Sequence, residues 1–238
     1  LLVARHAHRI DTEDANWWLT SATPYDPPLL CEYSPQLSLG SSFTPPSALL
    51  FPGTAHGVDV YVHTSPFVRC VQTAYAVARE VQAAATGSVK LRMDSFLGEW
   101  LNPEYFAQGV PPPDDGHAGL RDSSAAWALA QPTKPAARLP LLDLTWPLDS
   151  FGTAGHYGER WSAMNARFAA GYARLAEHYR AVAAQTDRPV VVMFVTHGAG
   201  CSSLLAAISG SPTVEHVGLA SLSVAVPRPA DDVYDSDF

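Results

Sequence analysis

The stretch Arg5-His6-Ala7-His8-Arg9 sets an imidazole between two arginines within a few residues. Such a field repels protons and metal cations and attracts anions. It is expected to lower the pKa of His6 and keep its ring neutral, hence nucleophilic. A phosphate arriving there would meet forked guanidinium donors that neutralise its charge as it spreads during transfer. Arg69 lies at the start of a helix, whose N-terminus would add partial positive charge and free N–H groups. His197, in Val195-Thr196-His197-Gly198, would donate to a phosphate oxygen when protonated. Phosphoryl transfer to His6 also needs a proton for the departing alkoxide. Glu99, in Leu97-Gly98-Glu99-Trp100, is the best-placed carboxylate, and apolar Leu97 and Trp100 are expected to raise its pKa. Asp11, Glu13 and Asp26 rank below it.

These groups need a scaffold that gathers them. Leu1-Leu2-Val3-Ala4 is a short apolar run that ends abruptly at the Arg5 motif, as a buried strand does when it delivers polar residues at its tip. Residues 58–63 alternate and are β-branched, then break at Thr64-Ser65-Pro66, a second strand. A helical face runs over 68–85, closed by Gly87. Residues 89–93 predict a third strand, leading to Glu99. Trp161, Met164, Phe168, Tyr172, Leu175 and Tyr179 repeat at three- and four-residue steps, a helix over about 159–184. Residues 190–195 are apolar without alternation, a strand buried on both faces. A helix over about 201–208, closed by Gly210, and a strand over 221–226 complete the pattern.

Strands alternating with helices predict an α/β fold, a three-layer α/β/α sandwich with a mostly parallel central sheet. In such sheets ligands bind beyond the carboxyl ends of the strands, and three of those ends carry Arg5-His6, Ser65/Arg69 and His197. Residues 24–52 and 101–156 are proline-rich with little periodicity. They are expected to be irregular insertions, the second of them an active-site cover or a family-specific addition.

The 238 residues suit a single domain over 1–238 with an acidic tail at 231–238. The net charge of −8 and pI near 5.5 give no overall attraction for nucleic acid or an anionic membrane, and no apolar run reaches the length of a span. All 15 basic residues are arginine except Lys90 and Lys134, and the cleft is expected to be the one strongly positive place on an acidic molecule. Cys31, Cys70 and Cys201 form neither a disulfide framework nor a metal cluster, which leans towards an intracellular, reducing compartment. Cys70 and Cys201, at helix starts, are expected to pack rather than react. The chain begins at Leu1, so it is expected to be a trimmed form of a longer protein.

The ordered motifs Arg5-His6-Ala7-His8-Arg9, Ser65-Pro66-Phe67-Val68-Arg69-Cys70-Val71-Gln72-Thr73-Ala74, Leu97-Gly98-Glu99-Trp100 and Val195-Thr196-His197-Gly198 resemble the histidine phosphatase (phosphoglycerate mutase-like) superfamily. Ser-Pro-x-x-Arg-Cys-x-Gln-Thr-Ala and Gly-Glu-Trp are similar to one branch, which holds the phosphatase domains of the suppressor-of-T-cell-receptor-signalling proteins. That branch also holds a fungal subunit of the RNA polymerase III transcription factor TFIIIC. Trp17-Trp18-Leu19 and Ala220-Ser221-Leu222 fit it as well. The resemblance implies a phosphoglycerate mutase-like fold and a phosphomonoesterase that is phosphorylated on His6. Arg5, Arg9, Arg69 and His197 would bind the phosphoryl group, and Glu99 would donate the proton and later activate water. His8 and Ala7 would lie on the pocket rim. The superfamily usually has Gly where Ala7 stands, so its Cβ is expected to crowd the site or strain the backbone and weaken activity.

The resemblance implies no metal and no organic cofactor. It implies a phosphorylated substrate or inorganic phosphate as ligand, TFIIIC subunits or another protein as partner, and a nuclear or cytoplasmic location. A metal site built on His6, His8 and His197 is disfavoured by the adjacent arginines and the lack of clustered Asp. The rival reading is a phosphatase-fold scaffold, weakly active or inactive, that mediates protein assembly. Within the enzyme reading, a mutase is disfavoured because the sequence offers no second cationic set for a second phosphate.

Overall fold

The computed structural model describes residues 1–30, 57–84, 87–106, 111–130, 142–211 and 216–226. Its centre is a five-stranded sheet of β1 (Leu2–Arg5), β2 (Asp59–Thr64), β3 (Val89–Met93), β4 (Val190–Thr196) and β5 (Leu222–Val224). The spatial order is β3-β2-β4-β1-β5, parallel except for β5, which pairs antiparallel with β1 at the edge. The helices are α1 (Trp17–Thr20), α2 (Val68–Ala84), α3 (His117–Ala130), α4 (Trp161–Ala183) and α5 (Gly198–Ser209).

The sandwich follows from side-chain alternation along buried strands. Val191, Met193 and Val195 of β4 join Leu2, Ala4, Val60, Val62 and the inner face of α2 in one core. Val192 and Phe194, with Val3, turn to the opposite face and pack on Met164, Phe168 and Leu175 of α4 and Leu204 of α5. Both cores are sealed, so the sheet forms a rigid floor.

The α/β sandwich and mostly parallel sheet expected from the sequence are observed. The five strands and three longest predicted helices lie within a few residues of their expected positions, and Gly210 closes α5 in the left-handed conformation. The stretch 101–156 differs from expectation, because it contains α3. That helix is rich in Ala and Ser, and its apolar period is too weak to be read by pattern. It is anchored by Leu120 and by Ser124, whose hydroxyl donates to the Pro66 carbonyl at 2.7 Å. Most of the 24–52 segment, Cys31 and the acidic tail lie outside the described residues.

The topology also fixes where chemistry can occur. β2, β4 and β1 are neighbours, and they end at Thr64, Thr196 and Arg5. The ladder continues one residue further, with the His6 N–H donating to Thr196 O (3.0 Å) and the Ser65 N–H to Val195 O (3.0 Å). His6, Ser65 and His197 are therefore held by the sheet itself.

Close packing between α4 and the loop after β3 makes one glycine indispensable. A Cβ on Gly171 would stand 2.3–2.8 Å from the Phe96 ring. Gly171→Ala is expected to be net destabilising, since overpacking costs about 1–3 kcal/mol while Ala gains only about 1 kcal/mol over Gly within a helix. A lowered urea midpoint checks this, and an unchanged or raised one would refute it.

Candidate active site

His6 is buried to 2 % exposure, yet it lines a cleft of about 590 Å³ at the carboxyl edge of the sheet. Its Nδ1–H donates to the Ala7 carbonyl at 2.8 Å. A carbonyl only accepts, so this bond fixes the tautomer and leaves the Nε2 lone pair as the ring's nucleophilic atom. The His6 backbone is held on both sides, its carbonyl accepting from the Ala220 N–H (3.1 Å). Burial, followed by the charge of Arg69, drives its pKa well below the ordinary 6.5. The ring is neutral, as the sequence led one to expect, but from burial and Arg69 more than from the flanking Arg5 and Arg9.

Arg69 is the central cation of the site. It is 2 % exposed and faces two carboxylates, with Nη1 3.4 Å from Asp26 Oδ1 and Nη2 3.1 Å from Glu99 Oε2. Arg5 donates to Val217 O at 2.6 Å, and its guanidinium packs where a Cβ on Gly198 would stand 3.2 Å from it. The glycine after His197 thus makes room for Arg5. Nε of Arg5 and Nε of Arg69 are both buried without an acceptor. Arg9 closes a two-point pair with Asp11, at 2.9 Å for both bonds.

His197 is wholly buried and does not line the cleft. Nδ1 lies 3.0 Å from Glu99 Oε2 and Nε2 2.8 Å from Ser65 Oγ. Burial lowers its pKa to about 4 against the pull of Glu99, so the ring is neutral near pH 7 and donates Nδ1–H to the carboxylate. The expected role as a protonated phosphate donor gives way to one behind Glu99.

Glu99 corrects the expectation most sharply. Burial pushes its carboxyl up, but the hydrogen bond from His197 and the charge of the Arg69 guanidinium outweigh burial and hold it well below the usual carboxylate range. Leu97, expected to raise it, is buried in the second core instead. Trp100 packs edge-on against Trp161 and donates to Glu159 O at 2.7 Å.

The loop that carries Glu99 is bound at the three successive carbonyls that precede it. Asp94, its first residue, accepts from His63 Nδ1 (2.5 Å) and Trp146 Nε1 (3.0 Å). Thr196 Oγ1 donates to Leu97 O at 2.6 Å, and Arg167 Nη1 donates to both Phe96 O (2.7 Å) and Gly98 O (3.2 Å). The remaining Arg167 donors form a buried two-point pair with Glu159, at 2.9 and 2.7 Å. Arg167 was not legible as a site residue, because it lies amid a helical period that reads as packing.

Five further expectations are revised. The α2 N-terminus is not open to a ligand: the Val68 N–H donates to the Asp26 carboxylate at 3.0 and 3.1 Å. Burial raises the Asp26 carboxyl to about 6 despite Arg69. Ala7 is 1 % exposed rather than on the rim, with its N–H on Thr73 Oγ1 (3.1 Å). It is not strained, because Asp115 and Ala220 are the non-glycine residues with positive φ among those described. His8 turns away from the cleft to Glu13 and Thr12. Nor is the cleft strongly positive, since Arg5, Arg9 and Arg69 share its lining with Asp11, Asp14 and Glu99. Buried guanidinium groups require such partners. Cys70 and Cys201 are buried with their thiols pushed up by desolvation, as packing residues are.

No family model matches the sequence, and no curated protein matches it. Among solved structures, the chain is similar to the ecdysone phosphate phosphatase of Bombix mori in complex with tungstate. The two are 16 % identical with a TM-score of 0.61, covering 100 % of this chain and 96 % of that one. The fold is phosphoglycerate mutase-like. A mycobacterial glucosyl-3-phosphoglycerate phosphatase complexed with VO3 is also similar, at 20 % identity and a TM-score of 0.49, over 93 % of this chain and 88 % of that one. So is a phosphoserine phosphatase from Entamoeba histolytica, at 11 % identity and a TM-score of 0.44, over 93 % and 87 %.

The two neutral, buried imidazoles make stability depend on pH. Below pH 6.5 the unfolded chain takes up protons that folded His6 and His197 resist, so stability falls as pH drops, for His197 down to about 4. Asp26 opposes them: it is protonated more readily when folded, and restores part of the loss between about 6 and 3.8. Urea midpoints are expected to fall from pH 6.5 towards 4, and less steeply in His6→Asn; equal slopes would refute the assignment. The Arg167 pair gives a second test. Arg167→Met leaves Glu159 buried and unpaired, expected to cost about 3–5 kcal/mol, and the double variant Glu159→Gln/Arg167→Met is expected to recover part of that. A double variant no more stable than the single one would disprove the pairing.

Proposed function

We propose that the protein is a phosphomonoesterase that works through a phosphohistidine on His6. The observation that carries this is the His6 ring, neutral, fixed by the Ala7 carbonyl, and opening its Nε2 onto a cleft where Arg5 and Arg69 hold buried donors without acceptors. A phosphoryl group supplies the acceptors those donors lack. The first residues of α5, Gly198 and Ala199, also line the cleft, where a helix N-terminus favours an anion.

In this reading Nε2 attacks phosphorus and the P–O bond to the alcohol breaks. The phosphoryl dianion takes up Arg69 donors now directed at Glu99 and lays negative charge beside it. Both changes push the Glu99 carboxyl upward, so it takes up a proton with the substrate and gives it to the leaving oxygen. Water then enters, Glu99 takes its proton, and attack on the phosphohistidine releases inorganic phosphate and neutral His6. His197 and Arg167 act through Glu99, one on its carboxylate and one on its loop. The ecdysone phosphate phosphatase, which shares the fold, supports a phosphate monoester as substrate.

A second role is supported by the branch resemblance to the TFIIIC subunit, in which the chain would be a nuclear phosphatase-like subunit or scaffold. The edge strand favours it, since Leu222, Val224 and Val226 are 38 %, 53 % and 66 % exposed. No helix among the described residues is long and apolar enough to cross a membrane.

The enzyme reading is tested by hydrolysis of an aryl phosphate and by acid-labile labelling from a radiolabelled substrate. His6→Ala is expected to abolish both, and Glu99→Gln to slow turnover by about 10²–10⁴-fold, the range for a positioned acid–base group. Wild-type protein that neither hydrolyses nor takes label would leave the scaffold reading, which predicts copurification with other TFIIIC subunits.

A further inference from the structure

The phosphate end of the cleft accounts for a small part of it. The rest is walled by Trp17, Trp18, Tyr25, Tyr105 and Phe106. Trp18 and Tyr105 are 42 % and 65 % exposed, large apolar faces with room for a partner. Aromatic rings lining one cavity, Tyr105 and Phe106 already braced edge-on by Trp100 and Tyr157, suit a flat, apolar ligand, whose ring gains offset or edge contacts beyond area burial.

Among these aromatics one buried polar atom lacks a hydrogen-bond partner. Trp17 Nε1 is buried with no acceptor. It can only donate, and a buried donor left unpaired is costly, so a ligand atom that accepts its hydrogen relieves the site. Among the described residues the cleft has no cation beyond Arg5, Arg9 and Arg69, and Arg9 is already closed on Asp11. With Asp11 spent on Arg9, Asp14 is the further acidic residue in the lining. A second phosphate or a carboxylate on the substrate would therefore meet no free cation and the charge of Asp14 rather than a clamp.

Building on the phosphatase reading, we infer that the substrate is the phosphate monoester of a ring-bearing alcohol without a second anionic group, its ring lying among these aromatics and presenting an acceptor to Trp17 Nε1. The leaving group is then chosen by stacking and by one hydrogen bond. Sugar bisphosphates and phosphoglycerates are disfavoured because their second anionic group finds no free cation among the described residues of the cleft lining.

The test compares primary alkyl monoesters, so that leaving-group basicity does not set the ranking: 2-naphthylmethyl phosphate, quinolinylmethyl phosphate with a ring acceptor, glucose 6-phosphate and, as the acidic case, 3-phosphoglycerate. The ring esters are expected to exceed the other two in kcat/KM by at least about tenfold, mainly through KM, and Trp18→Ala and Tyr105→Ala to erode that margin. Trp17→Phe keeps a ring and removes the donor. It is expected to cut the quinolinyl preference over naphthyl by about fivefold, the order set by one hydrogen bond of about 1 kcal/mol. Glucose 6-phosphate or 3-phosphoglycerate turned over as well as the ring esters would overturn the substrate class. An unaltered quinolinyl-to-naphthyl ratio in Trp17→Phe would overturn the role of Nε1. Calorimetric titration with the non-hydrolysable naphthylmethylphosphonate and with inorganic phosphate separates this inference from the phosphatase reading. Tighter phosphonate binding without turnover supports the ring site and fails the enzyme, whereas turnover with no binding preference fails the ring site alone.

Discussion

A guanidinium buried to 2 % exposure at the carboxyl edge of a parallel sheet must be neutralised and hydrogen-bonded where it lies, and Arg69 imposes that demand on everything around it. Asp26 answers from the first loop and also caps α2 through the Val68 N–H. Glu99 answers from the loop after β3, and His197 backs Glu99 from the end of β4. His6, beneath them, stays unprotonated because it is buried and the Arg69 charge repels a proton. One buried charge thus ties the first loop to the ends of β3 and β4 and adds to the burial that keeps the candidate nucleophile neutral.

The same charge explains why the cleft is nearly balanced rather than strongly positive. A cleft of free arginines would be too costly to bury, so carboxylates occupy the donors until a better anion arrives. On the proposed reading, binding a phosphoryl group would be an exchange of partners, and that exchange would couple binding to the protonation of Glu99. The clamp of Thr196 and Arg167 on successive carbonyls keeps that carboxylate in place while its charge changes.

Much of the fold was legible because its signals are local. Residues 190–195 have no polar alternation, so they had to be buried on both faces, and Gly210 had to end a helix where only a left-handed residue fits. Helix α3 was missed for the complementary reason. Its Ala and Ser positions show little contrast between faces, and it is held by contacts such as Ser124 to the Pro66 carbonyl, which are distant in sequence. In the site, the identities of His6, Arg5, Arg69, Glu99 and His197 stood out as charged or titratable residues at strand ends. Arg167 and Thr73 did not, because an arginine or threonine on an amphipathic helix looks the same whether it faces water or a loop carbonyl.

Residue order by itself determined an alternating α/β chain and placed titratable groups at the tips of its buried strands, since periodicity and strand termination are properties of neighbours along the chain. Protonation and partnership were decided only by the tertiary structure. The side chains next to Glu99 in sequence argued for a raised pKa, whereas the groups next to it in space, Arg69 from α2 and His197 after β4, lower it. Electrostatic energies depend on distance through space and on burial, and neither is a property of position along the chain.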